Sequence, residues 1–388
     1  MTENDSDQDK TGLLVRKMLE KYDGMTVSDL VAGKIKPYDL QPLMMKAFEN
    51  IVAEMRTSDV FGKYQNNDLV KPSDVSQKEM ARLDALIYGL VPEDFEGIEL
   101  SPVCPLGING TLTMTNQKKI LSTIRNTEVN ADPTTALAIE SAKRRAECLK
   151  SAGRKDEKVS LCTSHRSLRL QKYQEGSGFL QHFRTFAACT AGKDSGDKKF
   201  ETDCMAEHIG LYLDLLEILS HSGYSPRDIT VRISDIRITE KIIDISGKDR
   251  NELALNTQTR DFKPFIDCGI RLPETVASPR MVEAELADEY GIRTAMRFLE
   301  RAEREVTDKL RLSHPEVNFE FDLHRIAGIG YYENLCFKIT ATNDRGTEYP
   351  LADGGMTDWT QKLLQSKKER LFIGGFGSEL FCGNFKGL

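Results

Sequence analysis

An arginine and a phenylalanine define the chemistry that residues 161–192, LCTSHRSLRLQKYQEGSGFLQHFRTFAACTAG, could perform. Leu161, Thr163 and His165 alternate with Cys162, Ser164 and Arg166 toward a polar loop. His182, Arg184, Phe186 and Ala188 alternate on the way out. A period of two predicts two β-strands joined by that loop, which carries Arg169, Lys172, Glu175, Gly176 and Gly178. Guanidinium is a permanent planar fork suited to phosphate oxygens. A phenyl face offers a purine a flat apolar platform. Arg166 and Phe186 on one ribbon therefore suit a nucleotide, and the same spacing also describes an ordinary amphipathic hairpin with a basic loop.

Other chemistry-bearing residues are more scattered. Asp132 stands directly before Pro133 and caps a helix predicted over 136–145, with Thr134 as the alternative cap. Tyr331 and Tyr332 precede a strand containing Phe337; they suit a small-molecule pocket or plain strand packing. Gly354-Gly355 lets the backbone approach a ligand, or makes a turn between strand and helix. Several motifs are excluded. AGKDSG, from Ala191, lacks the full phosphate-loop spacing. The eight Cys contain no CxxC pair, and together with the six His they never take zinc-ligand spacing.

The bulk numbers narrow the classes. With 388 residues the chain can bury a sizeable core as one large domain or two smaller ones. Charged residues at 29% and hydrophobic ones at 39% are ordinary for a globular protein. A net charge of −7 and a pI of about 5.6 argue against general nucleic-acid binding. No apolar run reaches membrane-span length, and the N-terminal TENDSDQDK has no signal-peptide pattern. Scattered cysteines fit reduced thiols, so a cytoplasmic location is expected.

The positioning elements follow from periodicity. Residues 1–11 read as a disordered tail and 12–22 as a short helix. Leu40, Leu43, Met44, Ala47, Phe48, Ile51, Val52 and Met55 form a helical stripe that suits a core or a dimer seam, core packing being the commoner use. A helix within 71–90, capped by Ser73 or Ser76, leads to a strand through Ile98 and Leu100 that stops at Pro102. Ile209, Tyr212, Leu213, Leu216 and Leu219 line a helix, and ITVRISDIRI from Ile229 alternates as a strand. Residues 239–273 read as an inserted subdomain or lid. Ser278-Pro279 opens a long helix to Leu312, broken near Gly291, and strand 317–323 follows.

In this order the units resemble the class II aminoacyl-tRNA synthetases, with the histidyl branch nearest, across residues 38–381. Helix, strand and Pro102 resemble motif 1, which builds the family's dimer interface. The central hairpin resembles motif 2, whose first-strand Arg contacts the α-phosphate of ATP and whose returning Phe stacks on adenine; these positions fall on Arg166 and Phe186. Thr135 matches the Thr of the Arg-Pro-Glu-x-Thr segment. There the carboxylate that holds the substrate's α-amino group follows Pro, whereas Asp132 precedes Pro133. GYYENLCF resembles the histidyl signature, with Tyr331, Tyr332 and Phe337 in place, but its Arg and Asp fall on Ala327 and Gly330. Gly354 and Gly355 match Gly-Gly-Arg-Tyr-Asp without the Arg. Arg370 to Phe381 resembles motif 3, but Glu379 is followed by Leu380 where the family has its phosphate-clamping Arg.

The resemblance implies an α+β fold, an antiparallel sheet flanked by helices, and a homodimer. It implies a tail at 1–11, a core at 12–238 and 313–388, an insertion with the long helix at 239–312, and no anticodon-binding domain. ATP and Mg²⁺ are the implied cofactors, with Arg166, Arg169, Phe186 and Glu379 at the nucleotide and Glu379 at the metal. Asp132, Thr135, Tyr331, Tyr332, Gly354 and Gly355 are the implied contacts to an amino acid or related carboxylic acid. One functional reading is an AMP-forming ligase that makes an acyl-adenylate for a non-tRNA acceptor, carrier or partner enzyme. Another is a catalytically silent regulatory subunit, similar to the synthetase-like regulator of ATP phosphoribosyltransferase. A scaffold used only for dimerisation or protein contacts is the third.

Overall fold

The computed structural model describes residues 13–387 except 14–15, 19, 27, 30–31, 114, 172–180, 250–252, 254–264 and 266–268. The tail at 1–11, the loop residues Lys172, Glu175, Gly176 and Gly178, and much of the expected lid lie outside the described residues.

Helices α1 (Pro37–Ala53), α2 (Thr57–Gln65) and α3 (Gln77–Leu90) precede strand β1 (Phe95–Gly97). A two-stranded ribbon, β2 (Val103–Pro105) and β3 (Thr127–Val129), encloses α4 (Ile108–Leu112) and leads into α5 (Pro133–Lys150). The hairpin is β4 (Val159–Leu168) and β5 (His182–Lys193), followed by α6 (Lys199–Ser220), β6 (Arg227–Asp235) and α7 (Ile236–Ser246). Next come β7 (Thr275–Val276), α8 (Ala284–Glu289), α9 (Arg293–Ala302), α10 (Asp308–Ser313) and β8 (Asn318–Asp322). Strands β9 (Leu335–Thr342), β10 (Glu348–Thr357) and β11 (Glu369–Phe376) complete the sheet, with α11 (Trp359–Leu364) and α12 (Ser378–Asn384).

Among the described residues, nine strands lie in the order β1-β4-β5-β11-β10-β9-β6-β8-β7. The expected α+β architecture is present, but the sheet is mixed. β1 pairs parallel with β4 and β6 parallel with β8, while the strands between β4 and β6 run antiparallel. β1 also sits earlier than Ile98 and Leu100 suggest, with only the Ile98 N–H continuing the ladder to Cys162 O at 2.9 Å.

One sheet face is packed. Phe186, Ala188, Ile233, Phe337, Phe372 and Phe376 point into the large core beneath α3, α6 and α12. α6 is long enough to cover this face, and Tyr212, Leu213, Leu216 and Leu219 are buried along it. Among the described residues the opposite face is covered at one end, where α5 and α11 pack Leu137, Ala138 and Trp359 over Leu161, Ala187, Cys189 and Leu371. The remainder of that face is polar and partly open.

Gly354 and Gly355 are not a turn; both lie in the middle of β10. A Cβ on Gly354 would meet Phe337 Cε1 at 2.5 Å and Ile373 O at 2.6 Å, and one on Gly355 would meet Cys336 Cβ at 2.6 Å. The glycines are required by sheet packing, and both are buried, which corrects their assignment as ligand contacts. Gly354→Ala is expected to cost about 1–3 kcal/mol, because the overlap includes backbone that cannot swing aside. Urea unfolding with an unchanged m-value measures it; a loss near zero would contradict the packing.

Two other expectations change. The α1 stripe is not core within this chain: Phe48, Ile51 and Val52 are 48%, 52% and 61% exposed. The long helix toward Leu312 is segmented. A 3₁₀ turn at Pro279–Met281 precedes α8, Gly291 takes a φ of +62°, and a π-turn at Glu303–Thr307 joins α9 to α10.

Candidate functional site

Strand parity decides which residues can meet a ligand. On β4 and β5, Ser164 pairs with Phe186 and Arg166 with Arg184, so Arg166 and Phe186 share a face of one antiparallel ribbon, as alternation implies. That face is the packed one. Phe186 is 0% exposed, with its ring edge-on to Tyr88 at 6.1 Å. It has no ring face left for a purine, which corrects the assignment of adenine stacking to Phe186. Arg166 turns to Glu379, Nη1 to Oε2 at 3.1 Å, and to His182 Nδ1 at 2.9 Å.

Glu379 is likewise committed. It is 3% exposed, accepts the Arg184 N–H at 2.6 Å, and also accepts the Ser73 hydroxyl. A carboxylate already holding a guanidinium, an amide and a hydroxyl is a structural brace that ties α12 to β5. It does not fit the assignment as a Mg²⁺ ligand. Among the described residues, only Asp214, Glu217 and His314 bring three ligand-type side chains together, and Glu379 is not among them.

The open face carries a different set. α5 begins there: Pro133 occupies the first turn and Asp132 caps it, its Oδ1 accepting the Thr134 N–H at 3.0 Å. Asp132 Oδ2 accepts the Tyr331 hydroxyl at 2.9 Å and Arg169 Nη2 at 3.2 Å. Asp132 is therefore both a helix cap and an acidic group on the open face. Thr135 is spent internally, its hydroxyl donating to Asp132 O at 2.8 Å and lying 3.2 Å from Asn109 Oδ1. At 0% exposure it is not a ligand contact in this arrangement.

Arg169 reaches the open face because it continues the Thr163, His165, Ser167 set. Its guanidinium carbon lies 5.3 Å from the Phe183 ring, a cation–π contact. Phe183 pairs with Ser167 and is half-buried. It is the aromatic that the β4–β5 ribbon itself presents on this face, and the sequence reading missed it by one strand set. The signal was present, since Phe183 also alternates, with Thr185 and Ala187.

Tyr331 and Tyr332 meet edge-on at 5.0 Å, and Tyr331 meets Trp359 in the same way. Tyr332 donates to Asp353 Oδ1, and Arg325 Nη2 donates to Oδ2 at 2.6 Å. Burial, and then Asp132 and Asp353 respectively, push both phenols well above their usual range, so they remain neutral donors. The tyrosine pair thus bridges two acidic groups. Arg325 and Asp353 carry no signal of this role in the sequence; Arg325 lies just ahead of Ala327, the position on which the Arg of the histidyl signature falls.

The floor between these walls is low. Gly375 lies in register with Asp353 on one side and Ala187 on the other. A Cβ there would meet Thr185 Cγ2 at 3.4 Å and Phe186 O at 3.9 Å, ordinary contacts with no obstruction. Gly375 is partly exposed, so the depression is open. His165 and Ser167 beside it are buried, with His165 Nε2 and Ser167 Oγ unpartnered, as is Asn130 Nδ2 nearby. Burial lowers the His165 pKa, which favours the neutral ring.

No protein-family model matches the chain, and no curated protein matches its sequence. Solved structures do. An ATP phosphoribosyltransferase regulatory subunit/histidyl-tRNA synthetase from Bacillus halodurans C aligns with a TM-score of 0.57 at 14% identity, over 82% of each chain. A histidine–tRNA ligase subunit from Alicyclobacillus acidocaldarius aligns at 0.57 and 16% identity, over 80% of this chain and 96% of that one. Histidyl-tRNA synthetase from Nostoc sp. PCC 7120 aligns at 0.57 and 14%, over 82% and 74%. At such identities the likeness is one of fold, and the fold is a class II synthetase-like core. Among the described residues no helix is long and apolar enough to cross a membrane.

Proposed function

We propose that this class II synthetase-like chain binds an amino acid or related carboxylic acid on the open face of its sheet, and that binding, not adenylate formation, is its output. The observation that carries this reading is the division of the candidate residues. Asp132, Arg169, Tyr331 and Tyr332 gather over the low floor at Gly375, whereas Arg166 and Glu379 are locked together on the packed face. A ligand ammonium would join Asp132 in place of Arg169, with Tyr331 fixing the carboxylate's orientation. Freed from Asp132, the Arg169 fork would be available to a ligand carboxylate. Fold alone does not transmit activity. The ring of Phe183 beside Arg169 favours a second reading, in which a nucleotide enters between them and the chain is an ATP-dependent ligase. A dimer, or docking on a partner enzyme, belongs to either reading.

The test is a thermal-shift panel of amino acids with the intact chain. Gly375→Val should fill the floor and weaken binding by at least roughly tenfold, about 1.4 kcal/mol, while the unliganded midpoint holds. Asp132→Asn should weaken amino acids relative to their deaminated analogues. Arg166→Ala should leave ligand affinity unchanged. Absence of any amino-acid response would refute the binding reading. ATP–pyrophosphate exchange lost in Arg169→Ala would replace it with the ligase.

A further inference from the structure

Register brings four charged side chains abreast on the open face. Asp353 on β10 is level with Lys338 on β9, Lys338 with Arg232 on β6, and Arg232 with Glu320 on β8. The outer members are satisfied. Asp353 holds Tyr332 and Arg325, while Arg232 Nε donates to Glu320 Oε2 at 3.0 Å and its Nη1 lies 3.4 Å from Glu348 Oε1. Lys338 is not. It is partly buried, and among the described residues its ammonium has neither an ion pair nor a hydrogen bond.

A second cationic group nearby is also incomplete. Arg325 is 6% exposed, and its Nη1 is buried with no partner. Burial is the largest influence on Lys338 and Arg325 the next, and both lower its pKa; Asp353 opposes them and Arg232 adds to them. Among the described residues Glu320, Glu348 and the partly buried Asp322 also lie around the row, and burial holds Asp322 toward its protonated form. A partly desolvated ammonium with no carboxylate at bonding distance is costly, as is a buried guanidinium nitrogen without an acceptor. A ligand anion would satisfy both.

We propose that Lys338, backed by Arg325, seats an anionic group of the ligand, a carboxylate or a phosphate, at the end of the site away from Asp132. This rests on the binding reading above and deepens it. The ligand class is then an amino acid whose side chain ends in an anion, its ammonium at Asp132 and its anion beyond the tyrosine pair at Lys338.

The experiment compares matched ligands on the intact chain: glutamate against glutamine, phosphoserine against serine, and inorganic phosphate alone. Wild type, Lys338→Gln and Lys338→Arg are each titrated by thermal shift and calorimetry. The anionic member of at least one pair should bind tenfold or more tightly to wild type. Lys338→Gln should erase that preference without weakening the neutral member, and Lys338→Arg should retain it. The unliganded midpoint of Lys338→Gln should equal or exceed wild type, because an unpaired half-buried charge is removed; a lower midpoint counts against the proposal. Preference for glutamate identifies a carboxylate seat. Preference for phosphoserine, with stabilisation by inorganic phosphate lost in Lys338→Gln, identifies a phosphate seat. Neutral amino acids binding as tightly as anionic ones overturns the anion seat and leaves the amino-acid reading intact. Preference that persists in Lys338→Gln overturns the role of Lys338. Binding of none of these probes overturns both.

Discussion

Arg145→Met is expected to lower the unfolding free energy by about 3–5 kcal/mol, the usual result of stranding one member of a buried ion pair. Arg145 lies on α5 and is 0% exposed. Its Nε and Nη2 meet Glu369 Oε2 and Oε1 at 2.9 and 3.1 Å, a two-pronged contact with the first residue of β11. The rest of the fork is also used: Nη2 donates to Lys155 O at 3.0 Å and Nη1 to Glu157 O. Methionine matches the bulk and leaves the Glu369 carboxylate, 1% exposed, with no cation. The double variant Arg145→Met/Glu369→Leu should recover most of the loss, since well-packed apolar groups often replace such a pair at no net cost. Denaturant curves at low and high salt should agree, because burial shields the pair from screening. A single-variant loss below about 1 kcal/mol would show that the pair behaves like an exposed one. The contact also bears on the proposed site, since Asp132 caps the N-terminal end of α5.

Stability is expected to fall steeply as pH drops from about 6.5 toward 3, and His208→Gln should flatten that slope. His208 lies on α6 at 0% exposure, between Phe95 and Phe372 at ring-centroid distances of 5.6 and 4.8 Å. Its Nε2 meets Thr190 Oγ1 at 3.1 Å, and Nδ1 has no partner. Burial, helped by the charge of Lys158, lowers its pKa from 6.5 to about 3. The folded state therefore keeps the ring neutral where the unfolded chain takes up a proton. Above the unfolded pKa the two states bind equally and the effect vanishes. Between the two values the unfolded state binds more, so folding weakens by up to about 1.4 kcal/mol per pH unit. Below the folded pKa both are protonated and the slope ends. Urea midpoints from pH 7 to 4 measure this; parallel profiles for wild type and His208→Gln would refute it.

The sequence made one kind of information legible and concealed another. Alternation placed Arg166 and Phe186 in one set, and the structure keeps them on one face of an antiparallel ribbon. What alternation does not encode is which set meets a helix. That is settled by α6 and α12, which arrive from elsewhere in the chain and take the Phe186 side. Exchanging the faces moves the candidate residues from Arg166 and Phe186 to Arg169 and Phe183, although the strands themselves were recognised. Glu379 shows the same limit, because an acidic residue near the start of a helix looks available until its partners, Arg166, Arg184 and Ser73, are placed. Tyr331 and Tyr332 were recognisable because adjacent aromatics ahead of a strand must pack on something. Lys338 was not, because a lysine in a strand is ordinary until its neighbours turn out to be spoken for.

The strand order has a consequence for synthesis. β11 is made after every other strand, yet it is inserted between β5 and β10. Until it emerges from the ribosome, those two strands expose unsatisfied backbone edges and a gap runs through the middle of the nascent domain. Closing that gap joins segments far apart in the chain, which is slow and leaves sticky edges bare for longer. Overexpression in a host short of chaperones should therefore yield inclusion bodies even though the finished domain is well packed.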